Sequence, residues 1–183
     1  MASAITHFAV AASLGLPAME SAALRTVFPR WAIPVTAGLF GVAPDLDTYI
    51  MFGLGVPRGS LFSHRGFFHS PFFLAIFAFV LAAMVARSKA WLPLGALWTC
   101  AAITHPLLDM LTDGGSGVVL LFPFSEDRLF FPWRPIRVSP LGIMRFFDRA
   151  REILLSELPF CIAALLFGSL AWIARRRSIE PRP

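Results

Sequence analysis

Apolar residues fall in five blocks along the chain, at 5–16, 31–43, 67–85, 91–110 and 158–174, and the polar residues gather where those blocks begin and end. The first two blocks are shorter than the ~20 apolar residues that cross a ~30 Å hydrocarbon core as a helix. Ser3 is placed to cap the first, and Gly38 and Gly41 in the second allow a close approach to a neighbouring helix. The block at 67–85 reads as the clearest spanning helix, closed by Arg87 and Lys89, and 91–110 as another, interrupted by Pro93 and Pro106. Between blocks, 21–30 reads as a connector or short interfacial helix, and 49–59, broken by Pro57 and three glycines, as an irregular segment. The stretch 110–157 is expected to lie partly outside the membrane. Within it, 126–140 is a Pro/Arg/aromatic loop suited to the headgroup level, and 141–155 sets apolar positions at helical spacing against Arg145, Asp148, Arg149 and Arg151. The pattern predicts one domain over 1–183, an all-α polytopic membrane bundle of four to five apolar helices plus one interfacial amphipathic helix.

Composition agrees with the pattern. The 183 residues are 57% hydrophobic and 15% charged, against about 45–50% and about 25% in soluble domains. The net charge of +5 is scattered at block ends, with one cluster, Arg175-Arg176-Arg177, after the last block. That placement points to anionic lipid headgroups rather than nucleic acid. Cys100 and Cys161 each lie inside an apolar block, so neither a disulfide framework nor a CxxC metal knuckle is indicated. The first residues lack the basic stretch of a secretory signal, so the first block is expected to stay in the mature protein.

The chemistry sits at the block ends. His7 opens the first block, Asp45 and Asp47 close the second, His64 and His69 open the third, and His105 with Asp109 close the fourth. If successive blocks run antiparallel, all of these meet at one face. The sixteen Lys and Arg residues divide eight to eight between the faces, with Arg182 among those opposite the motifs, so the positive-inside rule does not orient the chain. Discounting Arg65 and the long connection 124–155 tilts the motif face toward the periplasm of a bacterial inner membrane.

His105 and Asp109 are four apart in a helical run, so both project from one face and can chelate one ion; Pro106 removes a helical hydrogen bond there. Asp45 and Asp47 straddle one residue after a proline, where two carboxylates can turn to a common point. His64 and His69 are five apart, with Gly66 allowing a tight entry to the helix. Histidines and carboxylates without cysteine suit zinc, with manganese and iron as alternatives, and one or two ions. Arg65 in the same stretch suits an anionic oxygen such as a phosphate. Glu157, at the start of the last block on the same side, is open as a further ligand, a general base or an interfacial carboxylate. Blander readings stand beside these: His7 as a hydrogen-bonded core residue, Asp47 as a helix cap, and the whole set as a structural polar network or proton path.

Taken in order, Thr6-His7, Pro44-Asp45-Leu46-Asp47-Thr48, the stretch His64-Arg65-Gly66-Phe67-Phe68-His69-Ser70, the stretch from Thr104-His105-Pro106 through Asp109 to Thr112, and Leu121-Phe122-Pro123-Phe124-Ser125 resemble the bacterial inner-membrane metal-dependent hydrolases, also described as LexA-binding membrane hydrolases. The pattern covers most of the chain. More remotely, the order His, Asp, His, HxxxD resembles the zinc-dependent phospholipase C and single-strand nuclease superfamily, all-α enzymes that cleave phosphodiesters at a metal cluster. The resemblance implies His7, Asp45, His64 or His69, His105 and Asp109 as metal ligands. That superfamily uses a later HxxxE or HxxxH pair, and no histidine follows His105, so a trinuclear site cannot be built in the same way.

The expectation is therefore a multi-pass enzyme of the bacterial inner membrane that hydrolyses a phosphoester, a lipid headgroup or lipid-linked phosphate among the candidates, with metal-activated water. Asp47 or Glu157 would take the proton and Arg65 would steady the phosphate. Membrane lipids are the expected partners. The alternative is a non-catalytic membrane interaction or regulatory protein in which the same residues hold a structural metal.

Overall fold

The computed structural model describes residues 1–140 and 143–179, with the side chains of 143 and 144 outside the description. Leu141, where the expected amphipathic segment starts, and Arg182 lie outside the described residues. Seven helices follow in order: α1 (Ala4–Ala18), α2 (Ala22–Arg25), α3 (Ala32–Val42), α4 (Asp47–Gly53), α5 (Pro71–Val85), α6 (Trp91–Met110) and α7 (Ile143–Ile179). Short 3₁₀ turns at Ala43–Leu46 and Phe67–His69 precede α4 and α5. Among the described residues β structure is limited to two isolated bridges, Thr112 with Ile136 and Val118 with Leu129. The fold is all-α, as the pattern of blocks predicts.

Helices α1, α3 and α6 pack on one another, α5 lies against α6, and α7 lies against α1. Small residues set the spacing: Ala11, Ala37 and Ala101 form one buried cluster where the three central helices meet. A second cluster contains Ile33, Ala78, Ala82, Leu94 and Trp98. The Trp98 indole N–H donates to Thr36 Oγ1 at 3.1 Å, joining α6 to α3. Gly41 lies against the Ala11 side chain, and a Cβ built on it would come 2.6 Å from the His7 carbonyl oxygen, so this crossing of α1 and α3 needs glycine.

Several boundaries differ from the sequence expectation. The clearest spanning helix is not 67–85: Ser70 caps a fresh helix by accepting from the Phe73 N–H at 3.2 Å, and α5 has 15 residues, about 22 Å long. One described helix, α7, is long and apolar enough to cross a membrane by length and composition, with a mean hydropathy of 2.0 over its best window. The amphipathic segment and the last apolar block, expected as two helices, are one 37-residue helix that continues through Pro159. Similarly α6 runs unbroken through Pro106, and the first part of 49–59, expected to be irregular, is helical within α4 (Asp47–Gly53). Four to five full crossings are therefore not what these helix lengths display.

The connection from α6 to α7 folds over one end of the bundle. Val118, Val119 and Ile136 in it are buried, and the Val119 N–H donates to the Arg65 carbonyl at 2.9 Å. Arg128 fastens it by donating from Nη2 to Ser63 Oγ and Ser60 O, both at 2.9 Å, and from Nη1 to Ser116 Oγ at 3.0 Å. Trp133 stays exposed, at 66%, on the aromatic stretch 126–140 expected at headgroup level, and Phe124 just before it is exposed at 93%.

Candidate metal centre

The start of α1, the end of α3, the turn before α5 and the end of α6 lie at the same end of the bundle, and there the chain buries four histidine and aspartate side chains around one point. His105 Nε2 is 3.2 Å from Asp45 Oδ1 and 3.9 Å from Asp109 Oδ2. His69 Nε2 is 3.9 Å from Asp45 Oδ1 and 4.0 Å from Asp109 Oδ2. A tetrahedral ion with ligands at about 2.0–2.2 Å holds neighbouring donor atoms roughly 3.3–3.6 Å apart, so this quartet is close to coordination spacing. His7 joins from α1, with Nε2 3.5 Å from Asp109 Oδ1 and its ring stacked on that of His105 at 3.6 Å between centroids.

The hydrogen-bonding pattern tests whether an ion fits. Asp45 Oδ1, His69 Nε2, His105 Nε2 and both ring nitrogens of His7 are buried and have no hydrogen-bond partner. Buried polar atoms are nearly always paired, and leaving these unpaired in a cluster whose ligand atoms lie within 4.8 Å of one another in each group would be costly without a cation. Two imidazoles and two carboxylates are a donor set suited to zinc, manganese or iron(II). Among the described residues, the groups able to hold an ion are His7–Asp45–His105, Asp45–His64–His69 and His69–His105–Asp109. They overlap at Asp45, His69 and His105, each shared by two groups, with His7, His64 and Asp109 each joining one.

The outer atoms of each ligand are held. His105 Nδ1–H donates to the Gly41 carbonyl at 2.7 Å, which fixes the tautomer that leaves Nε2 free for an ion. His69 Nδ1 is 3.1 Å and His64 Nδ1 2.8 Å from the two oxygens of Asp47, and the Arg65 backbone N–H donates to Asp47 Oδ2 at 3.3 Å. Burial pushes the Asp47 carboxyl up, but the hydrogen bonds of His64 and His69 outweigh it and hold the group below the usual carboxylate range. Burial pushes His69 below the usual imidazole range against the pull of Asp47, so its ring stays neutral, as a ligand requires. Asp47 therefore sits behind the histidines.

Arg65, buried to 1% exposure, takes φ of 65°, the left-handed region uncommon for a side-chain-bearing residue. Its guanidinium is occupied: Nε lies 2.8 Å from Asp109 Oδ2, Nη2 donates to Thr112 Oγ1 at 3.0 Å and Nη1 to the Gly114 carbonyl at 3.0 Å. It neutralises and orients Asp109. Glu157, also expected near the site, accepts from Ser3 N–H and Ser3 Oγ at 2.5 Å each and from Thr6 Oγ1 at 2.7 Å, and so ties α7 to the start of α1, leaving it outside the ion-holding groups. His64 has a ligand atom within 4.8 Å of those of Asp45 and His69 and an unpaired, buried Nε2, and the residue also lines a cavity of about 700 Å³ together with Ser63 and Arg65.

The roles of Gly41, Thr112 and Arg128 at the site were not legible in sequence. Thr112 closes the stretch that begins at Thr104 and carried a readable signal, its spacing of three from Asp109; Gly41 acts through its carbonyl and Arg128 through a long-range clamp, and neither announces that in sequence.

Comparison with known proteins supplies the lineage. No solved structure matches the chain. The Escherichia coli (strain K12) protein "Inner membrane protein YbcI" is 35% identical over 187 residues, covering 97% of this chain and all of that protein. Neither its name nor the family's speaks of hydrolysis or phospholipase C; both support a bacterial inner-membrane lineage. With the family described as YdjM inner membrane protein matching residues 1–177, the chain belongs to that family.

Proposed function

We propose that this protein is a membrane-bound, metal-dependent hydrolase of a phosphoester, with a single zinc-class ion held by Asp45, His69, His105 and Asp109. The observation that carries the proposal is the convergence of four buried donor atoms at separations of 3.2–4.0 Å next to Arg65 and His64, two residues that line a cavity of about 700 Å³. When bound, such an ion lowers the pKa of a coordinated water to near 7 and polarises a phosphoryl oxygen. The chain's own residues do the rest. Gly41 and Asp47 orient His105 and His69; Arg65 keeps Asp109 charged and aimed. His64, held at Nδ1 by Asp47, unpaired at its buried Nε2 and among the residues that line the cavity, receives the proton at Nε2. The hydrogen bonds that already occupy Asp47 and Glu157 favour His64 over either carboxylate in that role.

A lipid substrate suits the surroundings. Helix α4 stands between the cavity and an apolar crevice of about 280 Å³ that includes Phe40, Ile50, Phe68 and Phe77. Leu39, Val80 and Met84, on α3 and α5, are exposed apolar side chains, and we take these short helices to be embedded in the bilayer beside α7. The test is a panel of soluble and lipid phosphoesters offered to protein purified in detergent, with and without chelator, beside His105→Ala. Chelator-sensitive turnover that the variant lacks supports the enzyme. Stoichiometric metal without turnover on any phosphoester refutes it and leaves a structural metal in a non-catalytic membrane protein.

A further inference from the structure

The cavity beside the metal centre carries more positive charge than one phosphate needs. Besides His64 and Arg65, its wall includes Arg58, from the loop after α4, and Arg145, near the start of α7. None of the described residues that line it is acidic. The four arginines of this region divide into two kinds. Arg65 and Arg128 are spent on the protein, their guanidinium groups bonded to Asp109, Thr112, Gly114, Ser63 and Ser60. Arg58 and Arg145 are exposed and, among the described residues, have neither an ion-pair nor a hydrogen-bond partner. They come from segments far apart in sequence, so the fold, not a local basic run, brings both to one cavity.

We infer that Arg58 and Arg145 form a second anion subsite, so that the substrate is an organic phosphate bearing a further anionic group beyond the one held at the metal centre, as in a lipid diphosphate or a lipid with a phosphorylated headgroup. The inference rests on the phosphoester proposal and narrows it. A single phosphate held at the metal centre and beside His64 leaves these two cations unanswered in a cavity of about 700 Å³. Guanidinium groups at the wall of a recess recognise planar or branched oxyanions through paired N–H donors, and like-signed side chains brought together without a carboxylate repel until an anion arrives. Water-soluble bisphosphates and lipids share this chemistry, and the arms of the test separate them.

The experiment uses the full-length, metal-loaded protein in detergent, with Arg58→Ala, Arg145→Ala and the double variant. Metal content of each is measured first, to show that the centre is intact. Inorganic pyrophosphate and inorganic phosphate are then titrated by calorimetry, and KM is compared for a substrate with one phosphate and one with two, as a soluble ester and in vesicles. Pyrophosphate affinity is expected to fall about tenfold for each arginine removed, the scale of one charge-assisted hydrogen bond, and to fall more than phosphate affinity. The KM of the two-phosphate substrate should rise correspondingly, in vesicles only if the substrate is a lipid and in both forms if it is soluble. Pyrophosphate affinity within twofold of the parent in the double variant overturns the subsite. If no phosphoester is turned over, the hydrolase proposal fails while the pyrophosphate titration still decides the subsite.

Discussion

Asp47→Asn changes one oxygen to an amide nitrogen in a side chain that touches no expected ion and yet should govern its binding. The carboxylate is approached by His64 Nδ1 at 2.8 Å, His69 Nδ1 at 3.1 Å and the Arg65 N–H at 3.3 Å. An asparagine offers one acceptor and one donor pair to three donors. One imidazole must then turn its N–H elsewhere or change tautomer, which would place a proton on the nitrogen that faces the ion. Partners behind metal-bound histidines are worth about 10- to 100-fold in metal affinity, or roughly 1.4–2.7 kcal/mol. The assay is competition against a chromophoric chelator in detergent, with the folded state checked by thermal unfolding. A loss within that range is expected, with residual binding. Unchanged affinity in Asp47→Asn would refute the orienting role. Abolished binding, equal to that of His105→Ala, would refute it from the other side by making Asp47 a direct ligand.

Three other perturbations separate parts of the structure. Gly41→Ala drives a methyl group into Ala11 and the His7 carbonyl, and should lower stability by about 1–3 kcal/mol in thermal unfolding, with weaker metal binding because α1 and the carbonyl that holds His105 shift together. Glu157→Gln leaves an amide facing Ser3 and Thr6 and should cost about 1–3 kcal/mol of stability; bound metal stays at the parent level, whereas metal loss would make Glu157 a ligand. In chelator-treated protein, burial makes His7 and His69 resist protonation when folded but not when unfolded, two imidazoles against the one, His105, that its carboxylate neighbours make easier to protonate. The unfolded state therefore takes up more protons on acidification, so the unfolding midpoint should be lower at about pH 5 than at about pH 7.5. A higher midpoint at the acidic pH contradicts that sign.

Much of the site was legible because ionisable residues at the ends of apolar blocks are few. Four histidines at block ends, together with antiparallel packing, suffice to bring His7, Asp45, His69, His105 and Asp109 to one end of the bundle. The roles within the set were less so. Asp47 looks like a cap or a catalyst in sequence because both uses need a carboxylate after a turn, and only the positions of two imidazoles decide otherwise. Arg65 has the chemistry of a phosphate ligand, yet Asp109, Thr112 and Gly114 claim its donors first. The Gly41 carbonyl meets His105 across 64 residues and carries no side chain to betray it. Helix boundaries failed where proline was taken as an interruption: Pro106 lies inside α6, because packed neighbouring helices can compensate for one lost hydrogen bond. They failed oppositely at Ser70, where a capping hydroxyl split an apolar run that hydropathy alone joins.

The central claim is a metal ion at Asp45, His69, His105 and Asp109, and the most direct measurement is elemental analysis of the detergent-purified parent protein beside His105→Ala and Asp109→Asn. One zinc, manganese or iron ion per chain in the parent, falling to background in both variants while their helical content is kept, is the predicted result. Metal at background in the parent after purification without chelator and reloading, or an undiminished stoichiometry in His105→Ala, would contradict the account.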